Sequence, residues 1–327
     1  MPVDNRDLDQ LRMMTKVSHL YHTRGLVQTE IARTLGVSQA RVSRLLSAAE
    51  DAGIVRTVVV TPPGLNADLE DRVETMFGLR EVHVVDASGE SESQRTETLG
   101  RALASVFRSY PIDGRTIGFT SWSRSMRRFV DNLPRFSHGK AKRVVEMLGG
   151  VGQPTTQHEA TTATERLARL TSADPIFLRV PGVTPSVEVR DAILANDPFA
   201  RQALNVLDEL DIALVGIGNA TVVAPLVAGD NFFSDEEFAR ARSLGAVGEI
   251  NLRFMDENGQ PIDCDLDPHV VGVTLEQLQR ADQRIAVSGG ESKHRALLAA
   301  VRGGWITVLI TDEESAEFLL ANGPAPA

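Results

Sequence analysis

The sequence predicts an α/β protein in two parts, a winged helix-turn-helix at residues 1–60 and a larger Rossmann-like domain at residues 69–327. Three observations support this division. A helix-turn-helix pattern followed by a short β-wing occupies residues 25–60. Beyond it, apolar strand-like segments alternate with amphipathic helices, which is typical of a mostly parallel sheet covered on both faces. Between the two parts, residues 61–68 include a Pro-Pro-Gly run that predicts a linker.

The N-terminal part begins with a predicted amphipathic helix at about residues 7–23, whose apolar positions recur near a 3.6-residue period. A second, short helix places Ile31 and Leu35 on one face. Gly36 then supplies a tight turn, because a residue without Cβ adopts a left-handed conformation freely. Val27 stands where Ser or Thr is expected to cap the short helix, so we expect a looser start there.

The third helix carries the predicted DNA contacts. Ser38 stands at its N-cap position, where the hydroxyl accepts a hydrogen bond from a free backbone N–H. Val42, Leu45 and Leu46 face inward, so the opposite face holds side chains that bond bases and phosphates. In a helix-turn-helix this helix enters the major groove. The predicted DNA-binding residues are Ser38, Gln39, Ala40, Arg41, Ser43 and Arg44.

The distribution of charge favours this prediction over the alternative, a helical hairpin that has no nucleic-acid partner. Residues 10–48 hold six Lys and Arg against one acid, Glu30, whereas the whole chain has a net charge of −10. A basic part on an acidic body is typical of a nucleic-acid-binding module, since attraction to phosphates supplies much of the affinity. Double-stranded operator DNA is therefore the predicted partner.

Composition argues against several other classes of protein. No apolar run approaches the ~18 residues that span a bilayer, and the polar, acidic N-terminus does not resemble a secretory signal. Cys264 is the only cysteine, so we expect a cytoplasmic protein without internal disulfides. The histidines show no metal-ligand spacing, and Asp263, Asp265 and Asp267 lack the Gly and Glu of a calcium loop. We expect no membrane partner, no metal and no cofactor.

Six strand-like segments predict the sheet of the C-terminal part. They are residues 81–86, 116–122, 143–148, 212–218, 284–290 and 306–312. In open α/β sheets, ligands bind outside the carboxyl ends of the strands. The residues that follow these segments are therefore candidates for a binding site.

Three of these strand ends are rich in small and polar residues. Ser123–Ser125 open a helix, where free N–H groups, hydroxyls and a guanidinium suit an anion. Gly289–Gly290 allow a close approach of the backbone, and Lys293 in the first turn of the next helix opposes its dipole unless an anionic ligand is present. Residues 215–220 supply a further wall. Each pattern alone also fits ordinary turn chemistry, but together they predict a phosphate or sugar-phosphate site.

Longer blocks of the sequence carry a family resemblance. They are residues 30–46, 118–126, 214–220, 245–262 and 286–320. Through them the chain resembles the SorC-type family of bacterial sugar-responsive transcriptional regulators, which is related to the deoxyribonucleoside and central glycolytic gene regulators. The resemblance implies an effector domain with the fold of sugar-phosphate isomerases and CoA transferases. It also implies homodimers or homotetramers that bind an operator and respond to a phosphorylated sugar.

The resemblance implies roles for individual residues as well. Ser123–Ser125 match the family's phosphate loop, Glu249 an acidic position that bonds sugar hydroxyls, and Lys293 the pocket lysine, an ion-pair donor or, in some relatives, a carbonyl-reactive amine. Ser123 and Ser125 replace the usual Gly and Thr, and the bulk of Ser123 implies a shifted or unphosphorylated effector. The predicted effector-binding residues are Ser123, Arg124, Ser125, Gly149, Gly150, Gly218, Asn219, Glu249, Gly289, Gly290 and Lys293.

The expected function is a DNA-binding regulator of carbohydrate metabolism, gated by a sugar or sugar-phosphate effector. One alternative is a sugar-phosphate isomerase or hydrolase with an added DNA-binding part, in which Lys293 serves as an amine nucleophile and Glu249 as a base. We favour a non-enzyme, because a DNA-binding part on an enzyme is unusual. A second alternative is a DNA-binding protein whose pocket is empty.

Overall fold

The computed structural model divides the chain into two compact units, Met1–Pro62 and Pro63–Ala327. The residues described are 5–55, 65–136, 139–222, 226 and 231–323. Most of the predicted wing, residues 56–60, and residues 61–64 of the predicted linker lie outside them. Within the described ranges, no helix combines the length and the apolar character needed to cross a bilayer.

The N-terminal unit contains the three helices that the sequence predicts. They are α1 (Asn5–Ser18), which continues as a π-helical turn (His19–Thr23), α2 (Gln28–Leu35) and α3 (Gln39–Asp51). Val17, Ile31 and Val42, one from each helix, are fully buried and pack in one hydrophobic cluster. Burial of this shared cluster holds α2 and α3 in their turn geometry.

The ends of α2 and α3 explain how this turn is held. Gly36 has φ +66°, the left-handed conformation expected of it, and the Ser38 Oγ accepts a hydrogen bond from the Arg41 backbone N–H (3.3 Å). Val27 occupies the N-cap of α2 without a side-chain acceptor, as predicted. Its own backbone N–H donates to the Glu30 carboxylate (3.1 Å), which supplies half of a capping box. The start of α2 is therefore firmer than expected from Val27 alone.

A seven-stranded sheet forms the centre of the C-terminal unit. Its strands are β1 (Glu81–Val85), β2 (Thr116–Phe119), β3 (Arg143–Glu146), β4 (Asp174–Ile176), β5 (Ile212–Gly216), β8 (Gln283–Val287) and β9 (Val308–Asp312). The strand order is β1-β9-β8-β5-β2-β3-β4, and every neighbouring pair in it is parallel. The six predicted strand segments are thus confirmed as one parallel sheet.

Helices cover both faces of this sheet. They are α4 (Ala67–Phe77), α5 (Glu92–Phe107), α6 (Arg124–Asn132), α7 (Pro154–Leu170), α8 (Val187–Asn196), α9 (Pro198–Val206), α11 (Leu275–Arg280), α12 (His294–Arg302) and α13 (Glu313–Asn322). A further helix, α10 (Asp235–Ser243), packs through Phe238 in a separate hydrophobic cluster. Successive strand residues belong to different hydrophobic clusters: in β5, Ala213 and Val215 lie in one, and Ile212 and Leu214 in the other. A strand buried on both faces has no polar alternation, which is why these segments are continuously apolar.

Two strand features were not predicted from the sequence. The edge strand β4 has only three residues, one of them proline. A separate hairpin pairs β6 (Gly248–Ile250) with β7 (Arg253–Met255) in antiparallel register. Its two-residue turn places Asn251 and Leu252 at φ +51° and +63°, the primed geometry usually formed by Asn and Gly. A leucine at such a turn gives no sequence signal for it.

The contact between α5 and α6 depends on Gly100, and we expect Gly100→Ala to destabilise the C-terminal unit by about 1–3 kcal/mol. A Cβ at this position would lie 2.6 Å from the Arg128 Cβ and 2.8 Å from the Phe129 backbone nitrogen. Alanine otherwise favours a helix over glycine, so a fall in melting temperature would isolate the steric effect. Ser105→Ala, at an exposed position of the same helix, should change stability little, and equal stabilities of the two variants would contradict the close packing.

Candidate functional site

A cavity of about 280 Å³ opens where three central strands end. Thr120 follows β2, Gly216 ends β5 and Val287 ends β8, and all three line the cavity. We call it the strand-end cavity. Its position, with β5 between β2 and β8 in the sheet, is the one in which open α/β sheets bind ligands.

Most of the predicted effector-binding residues meet in this cavity. The structure places nine of the eleven in its lining: Ser123, Arg124, Ser125, Gly218, Asn219, Glu249, Gly289, Gly290 and Lys293. Gly149 and Gly150 lie elsewhere, in a second cavity beyond the end of β3. Residues from four separate stretches of sequence therefore converge on one site.

The N-terminus of α6 forms one wall of the strand-end cavity. Ser123 is its N-cap residue, and the Ser123 side chain makes no capping hydrogen bond, so its hydroxyl is available to a ligand together with the free N–H groups of the first turn. A Cβ on Gly216 would lie 2.8 Å from the Ser123 Oγ, which explains the glycine at the end of β5. Arg124 is ion-paired with Glu92 at the start of α5.

Glu249 reaches the cavity from the β6–β7 hairpin. The Gly218 N–H donates to the Glu249 carbonyl, and the Glu249 N–H donates to the Gly218 carbonyl, both at 2.9 Å. The Glu249 carboxylate accepts a hydrogen bond from the Leu252 N–H (2.6 Å), and a Cβ on Gly218 would overlap its other oxygen. Only glycine at 218 therefore permits this carboxylate to enter the cavity.

Lys293 is a half-buried charged residue of the same site. Burial lowers the pKa of Lys293, and the negative charge of Glu249 opposes that effect. Burial likewise raises the pKa of Glu249, opposed by the Leu252 N–H and by Lys293. The structure, which describes both side chains, shows no salt bridge between them at 4.0 Å or less. A ligand group that both donates and accepts hydrogen bonds can therefore bridge the two.

Lys293 differs in one detail from the prediction. The sequence predicts it in the first turn of an α-helix, but residues Glu291–Lys293 form a short 3₁₀ turn and α12 begins at His294. Gly290 precedes this turn at φ +89°. A Cβ at this position would lie 2.7 Å from the Arg95 Nη1, so glycine avoids a clash with the guanidinium. Lys293 is the N-cap residue of α12 and therefore still lies at the positive end of its helix dipole.

Sequence analysis missed several polar residues of the cavity. Arg95 lies on α5 and pairs through Nε with the Asp312 carboxylate (3.1 Å) and through Nη2 with Glu314 (3.3 Å). The Ser288 Oγ is buried without a hydrogen-bond partner among the described residues. Ser288 directly follows β8, and Asp312 ends β9. The rule that ligands bind at the carboxyl ends of the strands could therefore have identified both residues. Arg95 and Glu92 had no such signal, because the periodicity of α5 identifies only its apolar face.

Gly149 and Gly150 serve close packing of the backbone. A Cβ on Gly149 would lie 2.5 Å from the Val180 carbonyl oxygen, and one on Gly150 would lie 2.7 Å from the Gln157 Oε1. The Gly150 N–H donates to that same Val180 carbonyl (2.8 Å). Nearby, Glu146 is buried, which raises its pKa. The glycine pair is thus explained without a ligand in the strand-end cavity.

On the N-terminal unit, α3 presents a polar surface. Its apolar residues Val42 and Leu46 are buried, while Arg44 donates from Nε to the Ala40 carbonyl (3.3 Å). All six predicted DNA contacts are exposed: Ser38, Gln39, Ala40, Arg41, Ser43 and Arg44. The helix therefore has a free face of the composition that major-groove contacts need.

The acidic turn at 263–267 is held by ion pairs. Asp265 pairs with Arg240 (2.7 Å) and Asp267 with Arg253 (3.4 Å). Cys264 between them is buried. Among the residues that the structure describes, no group of His, Cys, Asp or Glu is arranged to hold a metal ion.

Comparisons with known proteins agree with this architecture. The family described as "Putative sugar-binding domain" matches residues 62–321. The sorbitol operon regulator of Klebsiella pneumoniae is 30% identical over 95% of this chain and 98% of its own length, and the deoxyribonucleoside regulator of Bacillus subtilis is 27% identical over 96% and 99%. The crystal structure of full-length SorC from Klebsiella pneumoniae superposes with a TM-score of 0.70 at 27% identity, covering 98% of this chain and 100% of that one. The chain belongs to the SorC family of sugar-binding transcriptional regulators.

Proposed function

We propose that α3 binds operator DNA and that a sugar or sugar-phosphate effector in the strand-end cavity controls this binding. The observation that carries the proposal is the convergence of nine predicted effector-binding residues on one cavity, in a chain whose separate N-terminal unit exposes a polar, basic helix surface. The names of the relatives, regulators of a sorbitol operon and of deoxyribonucleosides, support a carbohydrate effector.

The effector acts by shifting populations of subunit arrangements, since a ligand changes an equilibrium only by binding one state more tightly than the other. We propose a homodimer or homotetramer as the assembly. A two-fold pair of N-terminal units fits an inverted-repeat operator, because recognition helices related by two-fold symmetry contact matching half-sites.

Lys293 and Glu249 bind the effector in this proposal without transforming it. Both groups suit hydroxyl recognition, because the ammonium only donates hydrogen bonds and the carboxylate only accepts them. No cofactor or metal is needed for this role. Incubation of the protein with sugar phosphates, followed by NMR, should show unchanged ligand, and turnover would establish the alternative of an enzyme.

The proposal is tested by titrating the full-length protein with sugars, sugar alcohols and their phosphates. Trp122 lines the cavity and packs edge-on against Phe232, with ring centroids 6.4 Å apart, so its fluorescence should change as a ligand binds. The same ligand should raise the melting temperature by mass action and change the affinity for DNA. A panel without any response in these three measurements would contradict an effector site here.

A further inference from the structure

We propose that the effector is an uncharged sugar or sugar alcohol, and that Glu92 selects it over the phosphorylated form. This inference rests on the proposed function of the strand-end cavity and makes its ligand more specific. It follows from how the charges around the cavity are paired.

The two arginines of the cavity wall already have carboxylate partners. Arg124, at the N-terminus of α6, is ion-paired with Glu92. Arg95 lies 3.1 Å from an Asp312 oxygen and 3.3 Å from a Glu314 oxygen, and the Asp312 side chain is only 2% exposed. A phosphate would share these guanidinium groups with carboxylates that already neutralise much of their charge, so it would gain less from each arginine than from an unpaired one.

Carboxyl groups also outnumber cations around the cavity. Glu92, Glu249 and Glu291 line it together with the three cations Arg95, Arg124 and Lys293. Asp312 and Glu314, the partners of Arg95, add two more acids. The cavity therefore supplies no excess of positive charge for a dianionic phosphate, and its carboxylates oppose such a ligand at close range.

The unpaired polar groups of the cavity suit hydroxyls instead. Glu249 presents one carboxylate oxygen beside Gly218, the half-buried Lys293 contributes an ammonium to the lining, and the Ser288 Oγ is buried without a partner among the described residues. A hydroxyl group donates to the carboxylate and accepts from the ammonium at once. Phosphate oxygens act mainly as acceptors. They can therefore accept a hydrogen bond from Lys293, but they are repelled by the Glu249 carboxylate, which also only accepts.

Near the N-terminus of α6, Glu92 is the carboxylate best placed to discriminate between uncharged and phosphorylated ligands. It lines the cavity as the first residue of α5, and its side chain is 71% exposed, so it can be replaced without disturbing the core. The charge of Glu92 also influences the interior of the cavity, because Glu92 raises the pKa of Lys293 whereas Arg124 lowers it. Glu92→Gln keeps the size of the side chain and leaves Arg124 free to pair with a phosphate.

The experiment compares matched ligand pairs by calorimetric titration of the full-length protein. Hexitols, ketohexoses and pentoses are each tested with their phosphate monoesters against the native protein and Glu92→Gln. The native protein should bind the uncharged member of the effective pair about tenfold or more tightly. Glu92→Gln should raise the affinity for the phosphate ester, reducing that ratio about tenfold, with a smaller change at high salt.

Glu159→Gln is the matched control, because it removes a carboxylate that pairs with Arg127 of α6 at 2.7 Å outside the cavity. It should leave the ligand ratio unchanged. Tighter binding of the phosphate ester by the native protein would overturn this inference while supporting the proposed function. An unchanged ratio in Glu92→Gln, with or without a lower melting temperature, would overturn the role of Glu92. If no member of any pair binds, the proposed effector function fails as well.

Discussion

The double variant Arg41→Ala and Arg44→Ala is expected to weaken operator binding by about 100-fold or more, because each bidentate base contact from such a side chain supplies about 1–3 kcal/mol. Both side chains lie on the exposed face of α3, opposite its buried residue Val42. The fold should persist, since neither arginine contributes to the hydrophobic cluster. The measurement is a gel-shift titration with a duplex that the native protein selects from a random-sequence pool.

Arg12→Ala provides the control for lost charge alone. Arg12 is an exposed arginine of the same unit, on α1, and its partner Asp9 is equally exposed. This variant should weaken binding only slightly, mainly through the salt-dependent attraction common to all DNA. Effector affinity should stay unchanged in both proteins, because the strand-end cavity is lined entirely by residues of the C-terminal unit. Equal losses of DNA affinity in Arg12→Ala and in the double variant would contradict the proposal that α3 contacts the operator.

The sheet could be predicted from the sequence because its strands are buried on both faces. In β5, every residue from Ile212 to Val215 is buried, and such continuous apolar runs between helices are typical of parallel sheets. The edge strand β4 lacks this burial: two of its three residues are exposed and one is Pro175, so no continuous apolar run marked it in the sequence. The β6–β7 hairpin was also missed, because Leu252 occupies its turn where Gly is usual.

Those residues of the candidate site that follow the carboxyl ends of parallel strands could be predicted from the sequence. Parallel strands bring their carboxyl ends to one edge, so residues as far apart in the chain as Ser123 and Lys293 could be placed together from the sequence alone. The partners of these residues could not be predicted in this way. Glu92 and Arg95 enter from the polar face of α5, and their positions depend on how α5 packs on α6, a contact that Gly100 makes possible.

Gly149 and Gly150 show why glycine alone is a poor predictor of a ligand. A missing Cβ permits any close approach, and at Gly149 the approaching group is the Val180 carbonyl of its own chain. At Gly218 the approaching group is the Glu249 carboxylate, which lines the cavity. The sequence around the two glycines does not separate these cases, because the approaching group comes from a distant segment.

Lys293→Met is expected to lower effector affinity by about 10- to 100-fold while operator binding in the absence of effector stays unchanged. Lys293 lines the cavity, and hydrogen bonds to charged groups contribute about 1.5–3 kcal/mol. Methionine retains the length of the apolar stem, and loss of the positive charge should raise the pKa of buried Glu249 further, which favours its neutral form over an uncompensated charge. Calorimetric titration measures the affinity, and gel shifts with increasing effector measure the response of DNA binding.

Lys142→Met is the matched control, because Lys142 is a half-exposed lysine of the same unit that pairs with Glu209 (3.2 Å) away from the strand-end cavity. It should leave both measurements unchanged. Lys293→Met should therefore produce a protein that binds DNA but no longer responds at the effector concentration that acts on the native chain. Together with the arginine variant, which binds effector but not DNA, it separates the two activities by unit. A Lys293→Met protein with native effector response would mean that the Lys293 ammonium does not contact the ligand, and Glu249 would then lose its proposed counterpart.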